Sequence, residues 1–224
     1  MFDFIALYIK KKLLFFRDIF YILIDSASIN NRGAVLFCDL GANVGKSYLF
    51  FKKFYKKNVT FYLFEPNLDC YKKLLKISNS EKNTIYVKNV AASYFSGTCK
   101  FFRSSNDELS EGGSINEAFL NDLRHTYHDK KEVTLVKTIN FSNFLKNNSF
   151  KFNKVIVKMD IEGSELDLIE SLIKNHTINL INVLYVEFHS NYVKKSKFKK
   201  LKSRENKIIS YIKNKTDVTL RLWH

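Results

Sequence analysis

Two short stretches of the chain hold residue types that could grip a nucleoside. The first is Asp39-Leu40-Gly41-Ala42-Asn43-Val44-Gly45, which follows the apolar run Val35-Leu36-Phe37-Cys38. The pattern D-x-G-x-x-x-G at the end of a buried strand lets the backbone turn sharply and approach a ligand, because neither glycine carries a Cβ. A helix over 44–55 should follow, with unpaired N–H groups at its start. The second is Glu65, twenty residues after Gly45, at the tip of an apolar strand over 59–64. An acid at that place accepts hydrogen bonds from both hydroxyls of a ribose.

The pyrophosphate fingerprint G-x-G-x-x-G is absent, and the first strand ends in an acid instead. Asp39 repels a phosphate at close range but attracts an ammonium, directly or through water. S-adenosylmethionine joins an adenosine to an amino acid and has no phosphate, so Asp39, Gly41, Asn43, Gly45 and Glu65 favour it over NAD or ATP. The competing account makes Asp39 a turn cap and Glu65 a solvated strand-end acid.

Elements in the right order must position these groups. Strands are expected at 84–88, 98–103, 133–138, 154–159, 182–186 and 217–222, and helices at 67–77 and 204–213. That alternation reads as α/β, a mostly parallel, doubly wound sheet. The 224 residues, 46% of them hydrophobic, suffice for one well-buried domain. We divide the chain into an N-terminal amphipathic helix, 1–30, and a domain over 31–224. A loop over 110–114, Ser-Glu-Gly-Gly-Ser, is flexible enough to be a lid.

Phe2, Ile5, Ile9, Leu13, Phe16, Phe20 and Leu23 recur every three or four residues, the stripe of an amphipathic helix. Lys10-Lys11-Lys12 and Arg17-Asp18 interrupt it, so no run approaches the ~20 apolar residues needed to cross a bilayer. The leading reading packs this helix on the domain; the other puts residues 2–24 against a membrane surface or a partner protein. Three cysteines without a C-x-x-C pair point to a reducing, cytoplasmic compartment.

A formal net charge of +15 suggests nucleic acid, but only six of the 37 basic residues are Arg. Base and phosphate readers lean on the Arg fork. The densest block, from Lys194 to Lys202, reads equally well as a solvated helix face.

Seven short motifs run in order along the chain: D-L-G-A-N-V-G at 39–45, F-E-P-N at 64–67, Asn89-Val90-Ala91, Gly113-Ser114, Thr138-Ile139-Asn140, K-M-D-I-E-G-S-E at 158–165 and Glu187-Phe188-His189. On these the chain resembles the FkbM-type methyltransferases, a Rossmann-like branch of the class I S-adenosylmethionine-dependent enzymes. The resemblance implies that Asn89 and Ala91 join the cofactor residues named above. The family often has an acid where this chain has Asn140, and its class usually adds a seventh strand in an antiparallel hairpin that is hard to find here.

Such enzymes methylate hydroxyls, commonly on sugars or glycans, so a sugar, glycan or related small molecule is the expected acceptor. The protein's work would be alignment and removal of the hydroxyl proton. Asp160, Glu187 and His189, at the ends of neighbouring strands, are the candidate catalytic residues. The same three could hold a divalent cation, Mg²⁺ or Mn²⁺. Asp160 could instead cap the helix that follows, and Glu162 and Glu165 suit that helix's first turn whatever the function. His125 and His128 have no spaced third ligand and receive no role. An RNA methyltransferase is the alternative, supported by charge but by no RNA-binding module, and specific nucleic-acid binding is not expected. A non-enzymatic cofactor-binding scaffold is a third reading.

Overall fold

The computed structural model describes residues 2–29, 33–56, 58–104, 112–122 and 131–223. Ser110, Glu111, His125 and His128 lie outside the described residues.

Helix α1 (Phe2–Ile29) precedes strand β1 (Val35–Leu40), α2 (Lys46–Phe51), β2 (Val59–Phe64), α3 (Leu68–Ser80) and β3 (Thr84–Lys88). Next come β4 (Ala91–Ser93), β5 (Gly97–Ser104), α4 (Glu117–Asp122), β6 (Lys131–Asn140) and α5 (Phe141–Asn148). The chain continues with β7 (Lys154–Met159), α6 (Glu165–Lys174), β8 (Val183–Val186), α7 (Lys195–Lys215) and β9 (Thr219–Leu222). Six strands form one sheet in the order β3-β2-β1-β7-β8-β9, every neighbouring pair parallel. This is the expected Rossmann-like α/β arrangement. The order reverses between β1 and β7, where ligands settle beyond the carboxyl ends of the strands.

β1 shows why the sheet is doubly wound. All six of its residues are buried, with Leu36, Cys38 and Leu40 facing a core shared with α5, α6 and α7 and Val35 and Phe37 facing a second core with α2 and α3. A strand covered on both faces needs apolar side chains in both registers. β3, at the edge, alternates half-buried Ile85 and Val87 with exposed Thr84, Tyr86 and Lys88.

Three features bear on the sequence-based expectations. The terminal antiparallel hairpin, hard to find in the sequence, is absent among the described residues, where β9 runs parallel beside β8. The antiparallel pairing is instead β5 with β6, in a second sheet to which β4 adds a parallel edge. Helix α7 reaches back over the lysine block, whose Lys194, Lys195, Lys197, Lys199 and Lys200 are exposed while Glu205, Ile208 and Ile212 are buried. The block is therefore largely the solvated face of a helix, and lysine extends that helix because it is a good helix former.

The third feature, α1, departs from the expectation. Among its described side chains the buried ones are Asp18, Ile22, Asp25 and Ser26, while Leu13, Phe16, Phe20 and Leu23 of the expected packing stripe are exposed. The helix does pack on the domain, but through the opposite face. Polar contacts draw that face in. Asp25 receives a bidentate pair from Arg221, Nη2 at 2.8 Å and Nε at 3.1 Å, and the Tyr185 hydroxyl donates to it at 2.7 Å. Tyr55 extends the network, its hydroxyl 3.0 Å from that of Tyr185.

Candidate active site

A cavity of about 530 Å³ opens at the carboxyl edge of the sheet, within the range of small-molecule sites. Its walls come from the ends of β1, β2, β7, β8 and β9 and from Ala91, Phe101 and the 113–115 segment.

The β1 and β2 side is built mostly by backbone. Gly41 and Ala42 donate to the Phe64 carbonyl at 3.0 and 3.1 Å, which ties the first loop to β2. Gly41 has φ 79°, and a Cβ there would sit 1.9 Å from the Asp160 carbonyl oxygen. Its bareness thus serves the neighbouring loop, while its backbone lines the cavity. Gly45 sits at the start of α2 outside the cavity wall, and a Cβ on it would press on Leu74 and Ile77 of α3. Asn43 lines the cavity in a left-handed conformation, φ 48°, which Asn tolerates better than most residues.

Glu65 is 5% exposed and lines the cavity. Its Oε2 accepts from the Asn43 amide and its Oε1 from the Asn67 amide, both at 2.8 Å. Burial pushes its carboxyl up to about 7, with those two amides pulling the other way, Asp39 adding to the rise and Lys158 opposing it. Asn89 lies behind this loop, its amide donating to the Glu65 and Pro66 carbonyls at 3.0 Å each; Ala91 lines the cavity directly.

Beneath the floor, Asp39 is completely buried, held by the Ser47 hydroxyl and by Lys158, whose Nζ is 3.3 Å from Asp39 Oδ1 and 3.3 Å from Asp160 Oδ2. Burial raises the Asp39 pKa. Burial pulls the Lys158 ammonium down, but Asp39 and Asp160 outweigh it and leave its pKa raised. Lys158 was legible only as part of a strand. The signal was available: Asp39 and Lys158 occupy equivalent places near the ends of two apolar strands, and they pair in register.

The β7 and β8 side is crowded with charge. Asp160, Glu162, Glu187 and His189 all line the cavity, so the three expected catalytic residues do come together. His189 is buried, with Nδ1 3.0 Å from Glu165 Oε1 and Nε2 3.3 Å from Glu162 Oε2 and 3.7 Å from Asp160 Oδ1. Burial lowers its pKa, yet Glu165, Glu162 and Asp160 together raise it to about 10. At neutral pH it is therefore an imidazolium, suited to holding charge rather than to taking a proton. Burial pushes Glu162 up to about 8 against the pull of His189, and Asp160, Glu165 and Glu187 push it the same way. Glu165 is locked by the Ile161 and Gly163 amides. Among the described residues, Asp160, Glu162 and His189 form the one group whose ligand atoms, all within 4.8 Å of one another, could hold a metal ion. The expected set had Glu187 in place of Glu162.

Glu162 has φ 51°, a conformation that is uncommon outside Gly, Asn and Asp and typical of functional loops. What holds it is the segment expected to be a lid. Ser114 is 1% exposed, donates to the Glu162 carbonyl at 2.6 Å and pairs with Phe102. Asn116 donates to the Gly163 carbonyl at 2.8 Å. Gly163 leaves its Cβ place to the Phe119 ring, which a Cβ would meet at 2.1 Å. Residues 113–116 are thus a fixed wall. Asn140 plays no part in the cavity; it caps α5 and donates to the Tyr94 carbonyl.

The groups present suit S-adenosylmethionine. A carboxylate offers about four acceptor positions, and Glu65 has spent two on backbone amides. Ala42, Phe64, Pro66, Ala91 and Phe101 add apolar surface for a base. Comparison with curated proteins and with solved structures returned no match. The family described as Methyltransferase FkbM domain matches residues 39–216, from the end of β1 through α7. The chain belongs to the FkbM methyltransferase family.

Proposed function

We propose that the protein is an S-adenosylmethionine-dependent O-methyltransferase acting on a hydroxyl of a sugar, glycan or related small molecule. The observation that carries this reading is the convergence of Asp160, Glu187 and His189 on the cavity that Glu65 lines. When bound, S-adenosylmethionine supplies an activated methyl group. Glu65 would hold its ribose, and Asp39, through Lys158, fixes the floor beneath it. Asp160, which lines the cavity with Oδ2 3.3 Å from the Lys158 ammonium, would take up the acceptor's hydroxyl proton at a carboxylate oxygen. His189, with Nε2 3.7 Å from Asp160 Oδ1 and 3.3 Å from Glu162 Oε2, orients both side chains. The fixed wall at 113–116 limits water.

The acidic wall also weighs against RNA. The carboxylates of Asp160 and Glu187 would repel a phosphate brought next to the transferred methyl, while most lysines of α7 face solvent. A second reading retains a divalent cation at Asp160, Glu162 and His189, supported by their grouping and by the carboxylate behind the imidazole, a common arrangement at metal sites.

The test is Asp160→Asn, assayed with isotopically labelled methyl donor. It should leave S-adenosylhomocysteine binding intact by calorimetry while turnover falls about 10²-fold or more, as for a lost general base. Unchanged turnover would remove Asp160 from the chemistry. Loss of activity to a chelator, restored by Mg²⁺ or Mn²⁺, would favour the cation.

A further inference from the structure

Helix α1 is built inside out. Its inner face carries Asp18, Asp25 and Ser26 around Ile22, whereas Leu13, Phe16, Phe20, Leu23 and Ile24 are 47% to 64% exposed. At 100° per residue these five fall within one arc on the side opposite Asp18, Ile22 and Asp25. Phe2, Ile5 and Ile9 share that register in the sequence, and the helix runs back to Phe2. A contiguous apolar face of this kind on a folded domain marks a contact surface.

Charge selects the occupant. At the same 100° per residue Lys10 and Lys12 fall at the two flanks of the stripe, and the chain carries a formal net charge of +15. Two copies pressed together along this helix would bring those charges together, so self-association is opposed. An anionic surface is attracted by the same charges. No helix among the described residues is long and apolar enough to cross a membrane, which leaves attachment in the plane of the interface.

The position of the helix gives that attachment a purpose. Asp25 meets Arg221 within β9, and Arg17 donates to the Leu222 carbonyl at the strand's carboxyl end. The helix therefore climbs towards the edge where the cavity opens, and residues 2–14 add about 20 Å at 1.5 Å per residue. Rings link the two regions: Phe16 to Phe15 at 6.2 Å, Phe15 to Phe50 at 6.0 Å, and Phe50 to Trp223 at 5.9 Å. Phe50 and Trp223 line the cavity. We propose that α1 docks on an anionic bilayer surface through its outer apolar face, setting the cavity mouth beside the lipid headgroups.

The test is flotation of the full-length protein with vesicles of phosphatidylcholine alone or mixed with phosphatidylglycerol, beside the double variant Phe16→Asp, Phe20→Asp. Both side chains are exposed, so the variant should keep its thermal midpoint and its binding of S-adenosylhomocysteine. The parent should float with the anionic vesicles, about tenfold less with the neutral ones, and less as salt rises; the variant should lose about tenfold or more on anionic vesicles. A parent that ignores anionic vesicles, or a variant that binds them equally, overturns the proposal. So does a parent that sediments as a dimer which the variant converts to monomer, because a second copy then covers the face. Vesicle binding without S-adenosylhomocysteine binding would uphold the membrane contact and refute the cofactor reading alone.

Discussion

The two sides of the cavity are made by different means. On the β1 and β2 side one buried carboxylate, Glu65, is satisfied by the amides of Asn43 and Asn67, and the shape follows from bonds between adjacent loops. On the β7 and β8 side Asp160, Glu162 and Glu165 surround one histidine, with Glu187 acting on Glu162 and Lys158 beside Asp160. The first side is a cradle formed by backbone; the second is a balance of charges, each held in place by the others. A cradle loses affinity when one side chain is cut. A charge balance loses stability, because removing one member strands the rest away from water.

The largest expected effect tests that contrast directly. Lys158→Met removes the cation that pairs with fully buried Asp39, and unfolding in denaturant should show a loss of about 3–5 kcal/mol, the scale for a broken buried pair. Adding Asp39→Asn should recover part of it. A loss below about 1 kcal/mol would show that the floor is not a coupled unit. Next in size, Glu65→Ala should weaken S-adenosylhomocysteine binding by about 1–3 kcal/mol in calorimetry and shift the unfolding midpoint of the free protein little. If the variant binds like the parent, the ribose assignment is wrong.

The smallest effect is in pH. The Glu65 carboxyl is raised from 4.5 to about 7 by burial, so the folded chain holds this proton more tightly than the unfolded one. The group's contribution to stability therefore grows as pH falls from above 7 towards 4.5, and burying its charge opposes folding above 7. Ligand binding should run the other way, since a protonated carboxyl accepts hydroxyls poorly. At pH 6 about one molecule in ten is ionised, and affinity should be about tenfold below its alkaline plateau. Glu65→Gln should flatten both trends; a parent whose affinity is level from pH 6 to 8 would detach Glu65 from the ligand.

The same contrast explains what the sequence made legible. The glycine loop at 39–45, Glu65 and the D-I-E-G-S-E segment are contiguous patterns whose geometry is local, and each stands at the strand end where it was expected. Lys158 was hidden because its meaning lies across the sheet, in register with Asp39. Periodicity found the stripe of α1 but could not tell which face the domain would take, and Asp25 with Arg221 decided that from 196 residues apart. Glycines at 112 and 113 suggested mobility; Gly113 instead makes room for the Phe101 ring. Strands over 98–103 and 133–138 were visible in their alternation, whereas their separation into a second sheet depends on partners no local pattern names.

One consequence follows from the place of Trp223. It is the single tryptophan of the chain, it lines the cavity, and its ring lies among those of Phe50, Phe51 and Tyr185. Light absorbed selectively by indole therefore interrogates one spot, where the end of the sheet, the mouth of the cavity and the ring contacts of α1 meet. The fold carries its own optical gauge, able to follow the arrival of a ligand in real time without any attached dye.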